Sequence, residues 1–285
     1  MELSKEEFDL LREYVHNLCG LVIPDTKAYL VRQRLESVAE ETGCASFAEF
    51  HKKVGENRGI RLQEKIINAI TTNETSFFRD EHPFSVFQDN ILPHFGEVIC
   101  QRKFRRKSRK GSKVRFWSAG ASSGQEPYSI AMLIREFTDG HLCISPGDFG
   151  ILATDISSGM LARAMGGEYG QAEIRRGISP ERQEKYFRKE GTRWVIDSSV
   201  RSMVEFRQIN LIRPFVMLGG FDVIFCRNVL IYFDLPTKVR IVEQFCRMLS
   251  DTGFLILGAT ENIYAVSDRF DSVYFGSTLL YQKKV

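Results

Sequence analysis

The chain has 285 residues and a mass of 32.7 kDa, enough for one large domain or two smaller ones with a substantial buried core. Apolar residues make up 43% and charged residues 26%, which excludes a wholly disordered chain and a collagen-like repeat. No apolar run reaches the roughly 18 residues that a transmembrane helix needs. Three of the first ten residues are glutamates, where a secretory signal peptide is basic, so we expect a protein that is not secreted.

The cysteines and histidines show no pattern of a metal site. No two cysteines form a Cys-x-x-Cys pair, and the histidines lack ligand spacing. Scattered cysteines are typical of reduced thiols in a cytosol rather than of a disulfide framework. We therefore expect a cytoplasmic protein without a metal ion.

The net charge of +3 conceals an uneven distribution. Residues 1–90 carry eleven basic and sixteen acidic side chains, whereas residues 101–115 carry nine basic and no acidic ones. Without that basic segment the chain holds 30 basic and 36 acidic residues. The composition therefore does not indicate a nucleic-acid-binding protein, and only the basic segment could contact a polyanion.

The first hundred residues predict a small all-helical domain. Ser4 and Glu7 form a capping box, and apolar residues follow at helical spacing. A second helix is predicted from about Asp25 to Gly43, and further helices after Ser46, over 62–70 and over 82–95. We expect this domain to span residues 1–100 and a basic linker to occupy 101–113.

From residue 114 the pattern changes to strands that alternate with helices. Strands are predicted over 114–120, 150–157, the first part of 221–234, 254–262 and 277–284, and helices over 127–137, 179–190 and 235–253. Short strands are predicted within 192–211, and we place a small β-subdomain near 186–206. The alternation predicts an α/β domain over 114–285, with a largely parallel sheet and helices on both faces. Such sheets bind ligands at the carboxyl ends of their strands, where the strand order reverses.

The segment 118–129 follows the first predicted strand and contains Gly120 and Gly124. It lacks the G-x-G-x-x-G spacing of a pyrophosphate-binding turn. Glu126, at the start of the next helix, would repel a phosphate and attract a cation. The segment therefore favours a positively charged, nucleotide-like cofactor over NAD, with an ordinary strand-to-helix turn as the alternative.

Asp155 ends the second predicted strand, where an acidic side chain can accept hydrogen bonds from both hydroxyls of a ribose. It lies 35 residues after Gly120, more than the usual separation of about 20. A helix cap is the alternative interpretation of this residue.

The segment 226–234 places Arg227, Asn228, Tyr232 and Asp234 directly after an apolar strand. Such polar groups are hard to bury without hydrogen-bond partners, so they are candidates for ligand binding. A loop whose polar groups satisfy one another is the alternative. Residues 71–80, outside the predicted sheet, indicate by themselves only a helix end followed by a turn.

Together these segments resemble the chemotaxis-receptor methyltransferases, the CheR family. The motifs are N-x-T-x-F-F-R at 73–79, SAGASSGQEPYSIAM, ATDIS, N-L at 210–211, FCRNVLIYFD and GATEN. They occur in the family's order, and the match runs from the N-terminal helices to the last strand. The resemblance implies methyl transfer from S-adenosylmethionine to glutamate side chains of receptors in chemotaxis-type adaptation, with S-adenosylhomocysteine as the product.

The resemblance also implies a fold and a set of site residues. An N-terminal helical domain would pack on a Rossmann-like methyltransferase sheet, with the cofactor between them. Arg79 and Tyr232 would lie nearest the reacting carboxylate. The cofactor would contact the helical side through Asn73, Thr75 and Arg79, and the sheet domain through Glu126 (amino group), Asp155 (ribose), Asn210 and Leu211 (adenine), Arg227 and Asn228.

The implied chemistry suits these residue types. A glutamate has an ordinary pKa of about 4.3, so at neutral pH it is already the anionic nucleophile and needs no general base. What remains is the in-line positioning of carboxylate, methyl and sulfur. Arg79 can orient a carboxylate by paired hydrogen bonds, and Tyr232 can donate another. Because charge is neutralised in the reaction, we expect Arg79 to orient more than it activates.

The partner predictions depend on where the chain departs from the family pattern. Some family members bind a peptide at the receptor's C-terminus through a glycine-containing loop, but here the corresponding region has only Gly191 and a short loop before Trp194. We therefore predict no peptide tether. Receptor binding would then involve basic residues of the helical domain facing acidic methylation helices, with a solvated surface as the alternative, and these residues are Lys27, Arg32, Arg34, Arg61 and Lys65.

The basic segment 101–115 and the function each leave alternatives open. The segment is either a solvated linker or a site of weak contact with anionic lipid beside the membrane-embedded receptors, worth about 1 kcal/mol per basic residue.

For the function, the alternatives are a methyltransferase acting on nucleic acid and a non-catalytic sensor of S-adenosylmethionine or S-adenosylhomocysteine. Base-stacking aromatic residues beside the catalytic strand are not evident, so no nucleic-acid partner is expected.

Overall fold

A twisted sheet organises the larger part of the molecule. The computed structural model of the chain describes residues 1–56, 59–105 and 113–284. Its strands are β1 (Val114–Ala119), β2 (Phe149–Asp155), β3 (Glu168–Gly170), β4 (Phe187–Glu190), β5 (Arg193–Ile196), β6 (Val204–Gln208), β7 (Phe221–Cys226), β8 (Leu249–Leu257), β9 (Phe270–Phe275) and β10 (Thr278–Lys283). Seven of these strands form the large sheet, in the order β6-β2-β1-β7-β8-β10-β9.

The strand order places the switch point between β1 and β7. The five strands from β6 to β8 are parallel, whereas β10 and β9 are antiparallel additions at one edge. Ser118 of β1 pairs with Ala153 of β2 on one side and with Phe225 of β7 on the other. This confirms the predicted Rossmann-like α/β sheet, and it opens a crevice at the carboxyl ends of β1 and β7.

Helices cover the sheet and build a separate N-terminal bundle. They are α1 (Lys5–Cys19), α2 (Ala28–Glu41), α3 (Phe47–Glu56), α4 (Ile60–Ile70), α5 (His82–Val86), α6 (Leu92–Arg105), α7 (Gln125–Asp139), α8 (Ser158–Gly166), α9 (Gln171–Arg175), α10 (Pro180–Tyr186), α11 (Ser198–Arg201) and α12 (Leu235–Met248). Ser4 and Glu7 form the predicted capping box of α1. Among the described residues, no helix has the length and apolarity needed to cross a membrane.

The N-terminal bundle has its own core. Helices α1 to α4 bury one another's apolar faces, and the fully buried side chains include Phe8, Leu11, Val15, Leu35, Phe50 and Ile66. These residues recur at the helical spacing seen in the sequence. The all-helical N-terminal domain is therefore confirmed.

Helices α5 and α6 pack on the sheet rather than in the bundle. A π-helical turn over Phe87–Ile91 joins them. The Phe87 ring lies 5.1 Å from that of Phe116 on β1, and the Phe84 ring lies 6.4 Å from that of Phe225 on β7. By core packing the bundle ends at Ile70, well before the boundary predicted at residue 100. Residues 101–105 of the predicted linker continue α6, and residues 106–112 lie outside the described part of the chain.

Two predicted helices end earlier than expected. The segment 179–190 is helical only to Tyr186, because residues 187–190 form β4 and pair with β5. The segment 235–253 is helical only to Met248, because Leu249 begins β8. In both cases pairing with another strand outweighs the local helical preference, with the next strand along the chain for β4 and with the more distant β7 for β8.

The small β-subdomain contains a different set of strands from the one predicted. Its sheet has the order β3-β5-β4, so β3, at 168–170, lies upstream of the expected range 186–206. Strand β6, at the end of that range, instead pairs with β2 in the large sheet. A two-residue turn containing Gly191 joins β4 to β5, in keeping with the short loop expected there.

Candidate functional site

A cleft lies at the carboxyl ends of β1, β2 and β7, where the bundle meets the sheet. It encloses about 1180 Å³, counting its open mouth. Side chains of both domains line it. They include every predicted site residue, namely Asn73, Thr75, Arg79, Glu126, Asp155, Asn210, Leu211, Arg227, Asn228 and Tyr232.

The turn after β1 forms the floor of the cleft. Gly120 has a φ of 86°, and a Cβ built on it would clash with the Cγ2 of Val229, in the loop after β7. Gly124 has a φ of 94°, and its Cβ would lie 2.9 Å from the Cβ of Ala164 on α8. Glycine therefore allows the turn its left-handed conformation and its close approach to two neighbouring elements.

Asp155 faces the same turn from the end of β2. Its Oδ2 accepts a hydrogen bond from the Ser122 amide at 2.8 Å, and its Oδ1 accepts one from the Ser157 amide at 2.9 Å. Burial raises the pKa of its carboxyl above the ordinary value of 3.8. Ser157, rather than Asp155, caps α8, since its hydroxyl accepts a hydrogen bond from the Met160 amide.

A buried ion pair crosses the switch point. Arg227 follows β7, and its Nη1 lies 3.1 Å from Oε2 of Glu126, in the first turn of α7. Glu126 also accepts a hydrogen bond from the Ser118 hydroxyl at 2.8 Å. The Nη2 of Arg227 donates to Asp80 Oδ2 at 2.8 Å and to the Arg79 carbonyl at 2.6 Å. The Arg227 side chain is 2% exposed, so it holds α7 and the 79–80 turn to the sheet.

Asn228 has an unusual backbone and an unpartnered side-chain atom. Its φ is 58°, in the left-handed region that few non-glycine residues adopt. Its Oδ1 is buried and has no hydrogen-bond partner among the described residues. A loop whose polar groups all satisfy one another would leave no such acceptor. Because Asn228 also lines the cleft, its side chain is a candidate contact for a ligand there.

The segment 73–79 closes the cleft on the bundle side. The Ser122 hydroxyl donates to the Asn73 carbonyl at 2.8 Å, and Arg79 Nη1 donates to the Glu74 carbonyl at 2.9 Å. The Phe78 amide donates to the hydroxyl of Ser129 on α7 at 3.0 Å. These contacts fix the segment against the sheet domain, which the local sequence by itself did not predict.

The bundle also contacts the opposite wall of the cleft. Asn210 Nδ2 donates to the Leu18 carbonyl at 2.9 Å, and the Val22 amide donates to the Tyr232 carbonyl at 2.9 Å. The walls therefore comprise segments from both domains, as the resemblance implied.

Glu261 lies in the loop after β8 and was not among the predicted site residues. Its carboxylate accepts hydrogen bonds from backbone amides of the 226–234 loop, including those of Asn228 and Val229. The GATEN motif, at a strand end, was the available signal. An acidic residue in that position, however, does not reveal which loop it contacts.

The lining suits a cationic nucleoside such as S-adenosylmethionine. The carboxylates of Glu126 and Asp155 are acceptors, matching an ammonium group and ribose hydroxyls. The same carboxylates would repel a pyrophosphate. A side chain at Gly120 would collide with Val229, which also lines the cleft. Among the described residues there is no cluster of three or more His, Cys, Asp or Glu side chains arranged to hold a metal ion.

Comparisons with known proteins agree along the whole chain. Residues 6–71 match the model of the CheR methyltransferase all-alpha domain, and residues 73–277 match that of the CheR methyltransferase SAM binding domain. The chain is 39% identical over 285 residues to chemotaxis protein methyltransferase 1 of Pseudomonas aeruginosa, covering 100% of both chains. It is 37% identical to chemotaxis protein methyltransferase Cher2 of Pseudomonas putida, again covering 100% of both, and 37% identical to a chemotaxis protein methyltransferase of Vibrio parahaemolyticus, covering 99% of this chain and 98% of the other.

Proposed function

The chain belongs to the CheR methyltransferase family, whose members transfer methyl groups from S-adenosylmethionine in chemotaxis, and we propose that the groups it methylates are glutamate side chains of chemoreceptors. The observation that supports this most is the convergence of ten motif residues, from several separate segments of the chain, on one cleft. The product is then a glutamate methyl ester, and the chain acts in adaptation of the signalling pathway.

The proposed acceptor explains why none of the site residues is assigned the role of a general base. The cofactor, when bound, supplies an electrophilic methyl group on a sulfonium. A receptor glutamate is ionised at neutral pH, so no side chain has to remove a proton before the attack. Glu126 and Asp155 bind the donor's amino group and ribose, and Asn210 and Leu211 bind its adenine. The protein's main contribution is to hold the two reactants in line.

Arg79 and Tyr232 orient the acceptor carboxylate in this account. Both side chains line the cleft, and both are partly exposed, so an external side chain can reach them. A guanidinium can bind both carboxylate oxygens, and a phenol can donate one further hydrogen bond. Over-tight binding of the anion would stabilise the ground state, since the charge disappears in the transition state. Arg79 therefore acts by orienting the acceptor.

The receptor surface that we propose is the basic face of the bundle. Lys27, Arg32 and Arg61 are exposed. Two other residues of the predicted set already have partners, since Arg34 Nη1 donates to the Ile70 carbonyl at 2.6 Å and Lys65 lies 2.7 Å from Glu41. Lys65 is exposed too, and its surface ion pair is weak, so four of the five residues are placed to face acidic methylation helices. The protein would work in the cytoplasm, beside the inner face of the membrane.

Two further partner proposals concern the β4–β5 turn and the basic segment. The turn is two residues long, so we propose that this protein uses no C-terminal receptor peptide. Calorimetry with such a peptide tests this, and saturable binding would contradict it. For the segment 101–115 we propose a weak contact with anionic lipid, tested by flotation with anionic vesicles, where equal binding by wild type and a chain with its nine basic residues neutralised would overturn the idea.

Methyl transfer to receptor-containing membranes tests the proposed function. Radiolabelled S-adenosylmethionine should label the receptor band, and mild alkali should release the label, because esters hydrolyse whereas methylated bases do not. Arg79→Ala should label far less. Label that resists alkali or enters nucleic acid would indicate a different acceptor, and binding without transfer would indicate a sensor.

A further inference from the structure

Glu261 is the centre of a hydrogen-bond cluster that joins two loops of the sheet domain. Its Oε2 accepts from the amides of Asn228 at 2.6 Å and Gly258 at 2.9 Å. Its Oε1 accepts from the amides of Val229 at 3.0 Å and Ile231 at 3.1 Å. One carboxylate therefore satisfies four backbone donors, three of them in the loop that follows β7.

This arrangement depends on an unusual backbone in the loop after β7. The left-handed φ of Asn228 turns the successive amides of residues 228, 229 and 231 toward one point. Converging amides of this kind make a concave anion site, and here the chain supplies its own anion. Asn tolerates the left-handed region better than most non-glycine residues, and the contacts with Glu261 hold the loop in this conformation.

Gly258 permits the approach of the two loops. A Cβ at this position would lie 2.8 Å from both Asn228 Nδ2 and Glu261 Oε2. The loop after β8 can therefore bring Glu261 under Asn228 only because residue 258 has no side chain. The contact is specific to this pair of loops.

The same loop carries two residues that face the cleft. Asn228 lines the cleft, and so does Tyr232, one residue after Ile231. The Tyr232 amide bonds back to the Val229 carbonyl at 3.2 Å, so a shift of Val229 would move Tyr232 as well. Glu261 thus controls both residues through the backbone.

We infer that Glu261 is a positioning residue for methyl transfer, one that fixes the orientation of Asn228 and Tyr232 by binding the amides of their loop. Its role in transfer rests on the function proposed above. Its role in shaping the site does not, because it also determines how the cleft binds S-adenosylhomocysteine.

The substitution Glu261→Gln tests this inference with little change in size. Each carboxylate oxygen holds two amides, so a carboxamide must set its NH₂ group against one of the two pairs. We expect affinity for S-adenosylhomocysteine to fall about tenfold and kcat to fall about tenfold to a hundredfold, as for a misplacement of roughly 1 Å. The KM for receptor should change less than kcat, since the bundle surface is untouched.

Two further variants separate positioning from general stability. Asp251→Asn makes the same change in charge near the opposite end of β8, where Asp251 pairs with Lys283 at 3.1 Å, and should leave kcat unchanged. Glu261→Asp keeps both acceptor oxygens on a shorter side chain and should recover part of the activity. Full activity and full affinity in folded Glu261→Gln would overturn the inference, as would equal losses in Asp251→Asn.

Hydrogen exchange on the wild-type chain covers the case in which Glu261→Gln does not fold. The amides of Asn228, Val229 and Ile231 should be protected in the protein without ligand, and exchange at the rate of an unstructured loop would overturn the inference. If wild type binds S-adenosylhomocysteine but methylates no receptor, the proposed function fails, whereas the exchange and affinity results still decide the role of Glu261.

Discussion

Arg227 and Glu126 form an ion pair at 3.1 Å that links the end of β7 to the start of α7, directly across the switch point of the sheet. The same guanidinium reaches Asp80 at 2.8 Å, so one buried cation serves two acidic groups. The pair orients Glu126 beside the cleft and anchors the 79–80 turn. Arg227 therefore supports the site as well as lining it.

Replacing Arg227 with Met should destabilise the protein strongly. The change keeps much of the volume but leaves Glu126 buried without its cation, and breaking a buried pair in this way costs about 3–5 kcal/mol. Urea unfolding measures the loss. Arg207→Met is the control, because its pair with Glu205 is exposed and should contribute at most about 1 kcal/mol. Similar losses in the two variants would show that the buried pair has no special role.

Replacing Gly120 with Ala should reduce cofactor binding through a clash with Val229. The alanine also has to adopt the left-handed backbone conformation of residue 120, which costs about 1–2 kcal/mol. Gly43→Ala isolates that backbone cost, since Gly43 has a φ of 76° and, in the described part of the chain, only its own chain neighbours come within 4 Å of a built Cβ. Gly120→Ala should lose more stability than Gly43→Ala, and Val229→Ala in the same chain should restore part of the difference. No rescue would argue against the clash.

The buried carboxyl of Asp155 should make cofactor affinity depend on pH. Because burial raises its pKa above 3.8, the folded protein takes up this proton before the unfolded chain does as the pH falls. The group therefore adds to the free energy of unfolding of the ligand-free protein only at low pH, and that contribution is lost as the pH rises through the raised pKa. A protonated carboxyl is a poorer acceptor for ribose hydroxyls.

We therefore expect the affinity for S-adenosylhomocysteine to weaken as the pH is lowered. The weakening should set in while the pH is still above 3.8. Calorimetry from neutral to acid pH measures this. Asp155→Asn should bind more weakly at neutral pH and should lack the step. A wild-type affinity that stays constant across the range would contradict the role given to Asp155.

Much of the site could be predicted because strand ends are visible in the sequence. Asp155, Arg227 and Asn228 each follow an apolar run, and the switch-point rule brings such positions together in any doubly wound sheet. The residues from the bundle side depended on the resemblance. Asn73 and Arg79 reach the cleft only through the docking of 73–79 on Ser122 and α7, which no local pattern indicates.

The wrong helix boundaries arise where pairing between strands decides the structure. Residues 187–190 and 249–253 form strands instead of extending the helices before them, because they pair with β5, the next strand along the chain, and with the more distant β7. Glu261 escaped a functional assignment for a similar reason. Its partners lie some thirty residues earlier in the chain and are backbone amides, which carry no sequence signal.

Calorimetric titration of the purified chain with S-adenosylhomocysteine tests the central claim most directly, because it needs neither receptor nor membrane. The account predicts one site per chain and an affinity that falls about tenfold or more in Asp155→Asn, since hydrogen bonds to a charged group are lost. Glu205→Gln, on an exposed pair of β6, should bind as wild type does. A chain that binds neither S-adenosylmethionine nor S-adenosylhomocysteine would contradict the account.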